Sequence, residues 1–212
     1  MTSMPMYLNT KLADVKSLKE LRPNDRIGVT AIKVSIPAII MQMYAKQKYG
    51  IGNAFKFDRY TVSMGPPDAV VALLSGNKQI TSHYASAPFH QRERKEAAIR
   101  TIMNTNDVMG GPQTFTMIST TTKFHDENPK AYAAFVAALK QSFDMIRTDK
   151  KAAAEVLLES MGGKGWSVEE LVEILGEPGV YYTTRPENVM TYATFMHEIG
   201  SLKRAPTALA DL

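Results

Sequence analysis

Residues 26–46, RIGVTAIKVSIPAIIMQMYAK, constrain the fold most, because they predict a buried strand that turns directly into a helix. Ile27 and Val29 fit a strand that is covered on both faces. Ser35 stands where an N-cap is expected, and Pro37 follows in the first helical turn. Apolar residues then recur at helical spacing, at Ile36, Ile39, Ile40 and Met43. The segment therefore predicts one strand–helix unit of an α/β fold.

Such a junction has a chemical consequence. A strand that turns tightly into a helix directs free backbone N–H groups and the positive end of the helix dipole at one point. That point can hold an anion or the polar end of a ligand. The alternative is a packed strand–helix unit without a ligand, since every α/β protein has several such junctions. The residues alone leave both interpretations open.

The same strand–helix pattern returns twice more. Segments 60–64 and 79–85 are strand-like, and each precedes a turn and a helix-like segment, the second of these over 93–100. Three such repeats within residues 15–100 predict a parallel sheet covered on both faces. The sequence Gly110-Gly111-Pro112 breaks the chain, and 114–122 predict one more strand.

The rest of the chain is helical in character. Helices are expected over 129–148, 150–161, 168–176 and 186–200. Ser167 with Glu170, and Thr184 with Glu187, predict capping boxes for the last two. On the sequence alone these helices have no sheet of their own to cover.

Composition excludes several classes of function. Of 212 residues, 44% are hydrophobic and 22% charged, as in folded globular proteins. The net charge of +4 comes without a long basic run, so no nucleic-acid partner is expected; residues 91–96, QRERKE, are interpreted as a solvated helix face. Cysteine is absent, which excludes disulfides and thiol catalysis. No apolar run approaches the ~20 residues that span a bilayer, and no signal peptide is recognised at the start.

No catalytic motif emerges. The four histidines, His83, His90, His125 and His197, form no HxxxH or HExxH pair, so we expect no metal site. Hydrolase, dinucleotide and phosphate-loop motifs are also missing, so no cofactor and no catalytic residue are expected. The protein is predicted not to be an enzyme.

Binding groups remain at the ends of the predicted strands, in loops 30–35, 64–68 and 85–90. In an open α/β sheet such loops line the crevice where ligands bind. They supply one cation, two hydroxyls, one aromatic ring and one imidazole, from Lys33, Ser35, Ser86, Phe89 and His90. This mixture favours a small organic anion over a metal or a polynucleotide.

Eight segments, taken in chain order, resemble one family over essentially the whole chain. They are PMYLNT, VKSLKELRPNDRIGV, KVSIPAIIMQM, VSMGPPDAVVALLSG, ASAPF, DVMGGPQTF, TTKFHDENPKAYAAF and YATFMHEIGSLKRAP. Together they are similar to the substrate-binding proteins of nitrate/sulfonate/taurine (NitT/TauT-type) ABC importers. The resemblance implies an α/β, type II periplasmic-binding-protein-like fold, whose two lobes close on a small-molecule ligand. It also implies a periplasmic monomer that works with the permease and ATPase subunits of an ABC transporter.

The resemblance assigns the domains as well. Residues 1–9 would be the crossover strand from lobe 1, 10–120 the complete lobe 2 with a parallel-sheet α/β core, and 121–212 the helical C-terminal part of lobe 1. Family members carry a signal peptide and about half of lobe 1 before a segment like PMYLNT. The resulting hypothesis is a truncated form that lacks the N-terminal part of lobe 1.

The family's ligand site falls on two of the loops. Its hydroxyl-rich turn corresponds to Lys33-Val34-Ser35, where Ser35 alone keeps the hydroxyl. Its aromatic-Ala-Pro loop corresponds to Ser86-Ala87-Pro88, where serine replaces the aromatic residue. These departures argue against sulfonate or taurine specificity, but they leave the predicted binding role unchanged. The predicted ligand-binding residues are Asn9, Lys33, Val34, Ser35, Ser86, Pro88, Phe89 and His90.

Two other functions share this fold. A thiamine pyrimidine-precursor synthase would need a histidine–lysine constellation and a cofactor lysine, for which only His90 and Lys33 are available in the predicted crevice. The effector domain of a LysR-type regulator would need a helix-turn-helix upstream. A truncated chain that binds nothing is the remaining possibility, because half a cleft gives weak affinity.

Overall fold

The chain divides into two units in a computed structural model that describes residues 1–211. The helical unit comprises Met1–Met4 and Thr114–Pro186, and the α/β unit comprises Pro5–Gln113 and the residues from Glu187 onward. The residues from Glu187 onward thus cluster with the α/β unit, whereas the sequence-based division grouped them with 121–186. The assignment of residues to lobes remains a prediction.

Eight strands and nine helices make up the described residues. The strands are β1 Thr2–Ser3, β2 Tyr7–Thr10, β3 Ile27–Val29, β4 Thr61–Ser63, β5 Ser82–Ala85, β6 Arg100–Asn104, β7 Thr114–Thr116 and β8 Tyr181–Tyr182. The helices are α1 Ile36–Tyr49, α2 Pro66–Leu74, α3 Phe89–Arg94, α4 Thr105–Met109, α5 Thr122–Glu127, α6 Pro129–Thr148, α7 Lys150–Ser160, α8 Val168–Leu175 and α9 Val189–Glu198. Short 3₁₀ helices cover Leu18–Glu20, Ile51–Tyr60 and Leu209–Asp211.

The α/β unit is built on a five-stranded sheet in the order β4-β3-β5-β2-β6. Strands β3, β4 and β5 are parallel, as the repeated strand–helix pattern predicts. Strand β2 lies antiparallel to both β5 and β6, so the sheet is mixed and not wholly parallel. The strand–helix repeats fix the direction of β3, β4 and β5, but β2 precedes them, and no crossover helix sets its direction.

The core of the α/β unit lies on both sides of this sheet. Ile27 and Val29 of β3 are fully buried, and α1 buries eight of its fourteen residues. A second group packs α2 against the loop before β5: Ala69, Ala72, Leu73 and Ile80. Gly28 faces the opposite side of β3 from Ile27 and Val29, is also buried and lies beside Ala69 and Ile80, so the prediction that β3 is covered on both faces is confirmed. Between these layers, β3 holds the start of α1 in a fixed place.

The helical unit has a small sheet of its own, contrary to the sequence-based expectation. Strand β1 pairs antiparallel with both β7 and β8, in the order β7-β1-β8. The strand predicted over 114–122 ends at Thr116. The Thr121 hydroxyl then accepts a hydrogen bond from Phe124 N–H at 3.1 Å and caps α5. Strands of two or three residues leave no periodicity from which a sheet can be predicted.

The helices after residue 128 follow the predictions closely, with one exception. Helices α6, α7 and α8 match the expected segments to within one residue. The capping box of α8 is confirmed, with Ser167 Oγ and Glu170 Oε2 accepting backbone N–H groups at 3.1 and 3.0 Å. The box predicted from Thr184 and Glu187 is wrong, since α9 begins after Asn188, which adopts a left-handed backbone conformation.

Among residues 1–211, no helix combines the length and apolar character needed to cross a membrane.

Candidate functional site

Three loops leave the α/β sheet at one edge, the carboxyl ends of β3, β4 and β5. Met64 N–H donates to Val29 O at 2.9 Å, and Ser63 Oγ donates to Thr30 O at 3.0 Å. These bonds join the first two loops directly beyond the strands. On the other side of β5, Ala85 pairs with Tyr7, so β2 brings its amino end to the same edge. Loops 30–35, 64–68 and 86–90 therefore surround one end of the sheet, as predicted.

The first loop presents the amino end of α1. Ser35 occupies the N-cap position with an extended backbone, but its Oγ donates to Ala31 O at 2.6 Å. Across the described chain, no side chain accepts a hydrogen bond from the first turn of α1. The prediction that Ser35 is the N-cap residue is thus confirmed, but its side chain does not cap the helix, because the hydroxyl bonds back into the loop. The N–H groups of Ile36 and Ala38 have no intrahelical acceptor at this position in a helix.

The electrostatics of this edge favour α1 over α2 as an anion site. The first turn of α1 contains no acidic residue, whereas Asp68 stands in the first turn of α2. Lys33, two residues before the cap, is exposed and has a φ of 69°, which few residues other than glycine adopt. Val34 is 72% exposed. A cation and an uncapped helix start lie within four residues of each other.

A buried amide holds the Lys33 backbone in this conformation. Gln42 Nε2 donates to Lys33 O and to both carboxylate oxygens of Asp58, each at 3.2 Å. Burial raises the pKa of Asp58, and Gln42 and Lys33 partly oppose that increase. Lys33 and Asp58 also line an open cavity of about 570 Å³, together with Phe55 and Arg59. Lys33 and Asp58 therefore share this cavity, and their opposite charges attract each other.

The third loop, 86–90, joins β5 to α3. The N–H groups of Phe89 and His90 donate to Ser86 O at 2.9 and 3.1 Å, and the Ala87–Pro88 peptide bond is cis. Ser86, Pro88 and Phe89 are half-buried. His90 is buried, with its ring 4.4 Å from that of Tyr7. Ser86 and Phe89 thus remain accessible at the edge, while His90 packs inward.

Asn9 lies apart from the other predicted site residues. It pairs with His83 inside the sheet, two residues from the edge that Tyr7 reaches. Its Nδ2 donates to Glu93 Oε2 at 2.8 Å, and its Oδ1 accepts from Thr101 Oγ1 at 2.7 Å. Asn9 is fully buried, so both ends of its amide are occupied by the protein itself.

Sequence reasoning missed the buried polar residues behind these loops. Glu93 is 0% exposed, so the solvated face predicted for 91–96 is wrong at this position. The helix expected over 93–100 lies instead over Phe89–Arg94. The spacing of His90 and Glu93, three residues apart, puts both on one helix face and is the one available signal. Gln42 and Asp58 gave no signal, because their pairing depends on the tertiary fold.

Within residues 1–211, no three histidine, aspartate or glutamate side chains are grouped so as to hold a metal ion.

Sequence comparisons give no relatives: no protein-family model matches the chain, and no curated protein sequence matches it. Solved structures do match. The periplasmic aliphatic sulphonate-binding protein SsuA from Escherichia coli superposes with a TM-score of 0.65 at 12% identity, covering 96% of this chain and 65% of that one. SsuA from Xanthomonas axonopodis pv. citri, an alkanesulfonate-binding protein bound to MOPS, gives 0.66 at 11% identity, covering 97% and 68%.

A third neighbour comes from Staphylococcus aureus. It is the ligand-binding component of an ABC-type import system with zinc bound, with a TM-score of 0.65 at 18% identity, covering 100% of this chain and 68% of that one. The chain thus spans about two thirds of the length of these neighbours. The likeness confirms the predicted α/β, periplasmic-binding-protein-like fold.

Proposed function

We propose that this chain is a solute-binding component of an ABC importer, and that its α/β unit binds the charged end of a small organic anion. The observation that carries this proposal is the start of α1. It is uncapped, free of acidic residues and placed at the edge of the sheet where three loops meet. The fold likeness to binding proteins of import systems supports the same role.

The recognition chemistry follows from the residues at that edge. An anionic group at the amino end of α1 would accept hydrogen bonds from first-turn N–H groups, and the helix dipole favours negative charge there. The ammonium of Lys33 would add a charge-assisted bond. The Ser35 hydroxyl donates its proton to Ala31 O, so it would reach an anionic group only through a bridging water.

Apolar side chains beside the same edge favour an organic anion over a bare inorganic one. Ile32 and Val34 are 43% and 72% exposed on the first loop, and the half-buried ring of Phe89 belongs to the third. Ligand sites commonly combine a few polar groups with apolar walls. An alkyl or aryl sulfonate or carboxylate has both parts. Nitrate would leave the apolar side chains without a partner.

The remaining parts of the proposal rest on the fold and on the sequence resemblance. We assign the α/β unit to lobe 2 of a NitT/TauT-type binding protein and the helical unit to part of lobe 1. Ser86, Pro88 and Phe89 would face the ligand from the third loop. The protein would act as a periplasmic monomer that delivers its ligand to the permease and ATPase subunits, with no catalytic step of its own.

Calorimetric titration tests the binding proposal. The probes are ethanesulfonate and MOPS, with nitrate, zinc chloride and choline for comparison. The sulfonates should bind most tightly. Lys33→Asn should weaken them about fivefold to tenfold, because one charge-assisted hydrogen bond is lost. Asparagine tolerates the left-handed backbone of position 33, so the fold is kept.

Lys48→Gln serves as the matched control, since it removes a cation at the other end of α1. It should leave sulfonate affinity unchanged. Absence of sulfonate binding, or equal losses in the two variants, would contradict the proposal. Tighter binding of zinc than of any anion would replace it with a metal-binding function.

A further inference from the structure

We propose that Glu93 is a positioning residue for the ligand loop 86–90. It acts through a set of polar side chains, the Glu93 cluster, which consists of the buried Glu93, His83 and Asn9 and the exposed Thr101. This inference rests on the proposed function, because it assigns a role to residues that stand behind the ligand edge. None of the four is placed against the ligand.

The cluster joins α3 to three strands. Glu93 Oε1 lies 2.5 Å from His83 Nδ1 of β5, and Glu93 Oε2 accepts from Asn9 Nδ2 of β2 at 2.8 Å. Asn9 Oδ1 accepts from Thr101 Oγ1 of β6 at 2.7 Å. His83 is 2% exposed, and Glu93 and Asn9 are 0% exposed. One carboxylate therefore connects α3 with β5 and β2 directly and with β6 through Asn9.

The hydrogen-bonding requirements of the Glu93 carboxylate select one position for it against β5 and β2. An ionised carboxylate only accepts hydrogen bonds, so His83 Nδ1 and Asn9 Nδ2 must both donate to it. A buried charge without its donors is strongly unfavourable. Moving α3 along the sheet would separate Glu93 from these donors. Apolar residues at the same positions would bury surface equally well without selecting one location for the helix.

Helix α3 needs such an anchor. It has only six residues, and isolated helices of this length are not stable. His90 lies three residues before Glu93, on the same face, and its ring contacts that of Tyr7 of β2 at a centroid distance of 4.4 Å and an interplanar angle of 43°. The N–H groups of Phe89 and His90 in turn hold Ser86 O. The position of Ser86 and Phe89 is thus transmitted from Glu93 through one helical turn.

A charge exchange between two positions tests this role. In Glu93→Gln the charge is lost, and the new amide keeps both partners only if His83 changes tautomer and accepts at Nδ1. Ethanesulfonate affinity should fall about fivefold, the size expected for coupling through neighbouring residues. The double variant Asn9→Asp with Glu93→Gln moves the charge to position 9. The amide at 93 can then accept from His83 and donate to position 9, which still accepts from Thr101. Affinity should return to within about twofold of the parent.

Leu171→Ala controls for general loss of stability. Leu171 is buried in α8 of the helical unit, whereas the Glu93 cluster belongs to the α/β unit, so its truncation should lower the melting temperature and leave sulfonate affinity unchanged. If Glu93→Gln behaves like this control, lowering the melting temperature but leaving sulfonate affinity unchanged, the cluster has only a structural role and the inference is overturned. Failure of the double variant to recover affinity would overturn it equally.

Hydrogen exchange separates this inference from the proposed function. The amides of Phe89 and His90 are measured without ligand, in the parent, in Glu93→Gln and in the double variant. Their protection should drop in the single variant more than that of Met64 N–H at the neighbouring loop, and recover in the double variant. This pattern would support the positioning role even if the parent binds no sulfonate, which would contradict the proposed function only. Unchanged protection at both amides would overturn the inference.

Discussion

Helices α1 and α6 both start with a proline in the first turn and are continuous, yet their burial differs completely. Helix α1 of the α/β unit buries eight of fourteen residues, including the polar Gln42. None of the twenty described residues of α6, in the helical unit, is buried. Helical propensity and apolar content alone do not account for the contrast, because both helices carry many apolar residues.

The difference lies in what each helix packs against. Residues of α1 pack against the 3₁₀ segment Ile51–Tyr60 and against α4, and its buried residues occur nearly all around it. In α6 the apolar residues form one stripe of half-buried side chains: Tyr132, Val136, Leu139, Phe143 and Ile146. Such a stripe is typical of a helix that covers a sheet. The contrast agrees with the domain proposal, in which the α/β unit has its own core and the helical unit belongs to a larger lobe.

The largest expected effect separates the two cores directly. Ile40→Ala in α1 should lower the free energy of unfolding by about 2–5 kcal/mol, because it removes a fully buried side chain. Phe135→Ala in α6 should cost less than about 1 kcal/mol, since that ring is 50% exposed. Urea unfolding measures both values. Val71→Ala on the exposed face of α2 is the control in the α/β unit and should resemble Phe135→Ala. A cost for Phe135→Ala as large as that for Ile40→Ala would remove the contrast.

Hydrogen exchange should show the same contrast without mutation. Amides of β3 and β5 should open only on global unfolding, whereas those of α6 should exchange through local opening at a free energy lower by about 2 kcal/mol or more. Native-state exchange followed by mass spectrometry resolves the two sets. Equal protection of α6 and β3 would show that the helical unit is as firmly packed as the α/β unit.

A third pair of variants asks whether the ligand edge is confined to the α/β unit. Ser35→Ala removes the 2.6 Å bond to Ala31 O beside α1 and should weaken sulfonate binding about fivefold, or about 1 kcal/mol. Ser160→Ala removes an equivalent bond, 2.7 Å to Leu157 O, at the end of α7. Each variant should cost a similar free energy of unfolding. Sulfonate titration should distinguish them, and an unchanged affinity in Ser35→Ala would take this residue out of the site.

The smallest effect concerns pH. Burial raises the pKa of Asp58 in the folded state, so its carboxyl favours folding in acid and loses that contribution as the pH rises through the raised pKa. Asp58→Asn should therefore make stability less dependent on pH on the acidic side of neutrality, and change it by about 1 kcal/mol or less at neutral pH. The new amide could also donate to Gln42 Oε1, which has no hydrogen-bond partner within the described chain.

Asp144→Asn is the control for that measurement, because Asp144 pairs with Arg147 on the exposed face of α6. Its pH profile, from chemical denaturation at a series of pH values, should match the parent's. If the profiles of Asp58→Asn and the parent were parallel, burial of Asp58 would contribute nothing to the pH dependence of stability.

Local signals predicted much of the fold. The alternation of strand and helix over 26–46 predicted β3 and α1, and the Ser167–Glu170 box predicted the start of α8, since both depend on neighbours in sequence. The direction of β2 and the sheet of β1, β7 and β8 could not be predicted, because they arise from pairings over about a hundred residues or between very short strands. The helices α6, α7 and α8 were predicted to within one residue, but the small sheet of the helical unit was not predicted.

The site was predicted only in part, because some of its features depend on neighbours in sequence and others on distant residues. The loops at the carboxyl ends of β3, β4 and β5 follow from the general geometry of parallel sheets. The bond from Ser35 to Ala31 and the burial of Glu93 depend on side-chain partners that only the tertiary fold supplies. Asn9 shows the limit best. It was predicted to be a ligand-binding residue, whereas its side chain forms hydrogen bonds with Glu93 and Thr101.

The central claim is that the amino end of α1 forms the anion site, and amide chemical shifts test it most directly. Ethanesulfonate is titrated into the ¹⁵N-labelled chain, a measurement that detects even weak binding. The account predicts saturable shifts at Ser35, Ile36 and Ala38, together with the amides of Phe89 and His90, at one common dissociation constant. Shifts confined to the helical unit, or none at the start of α1 at saturating sulfonate, would contradict it.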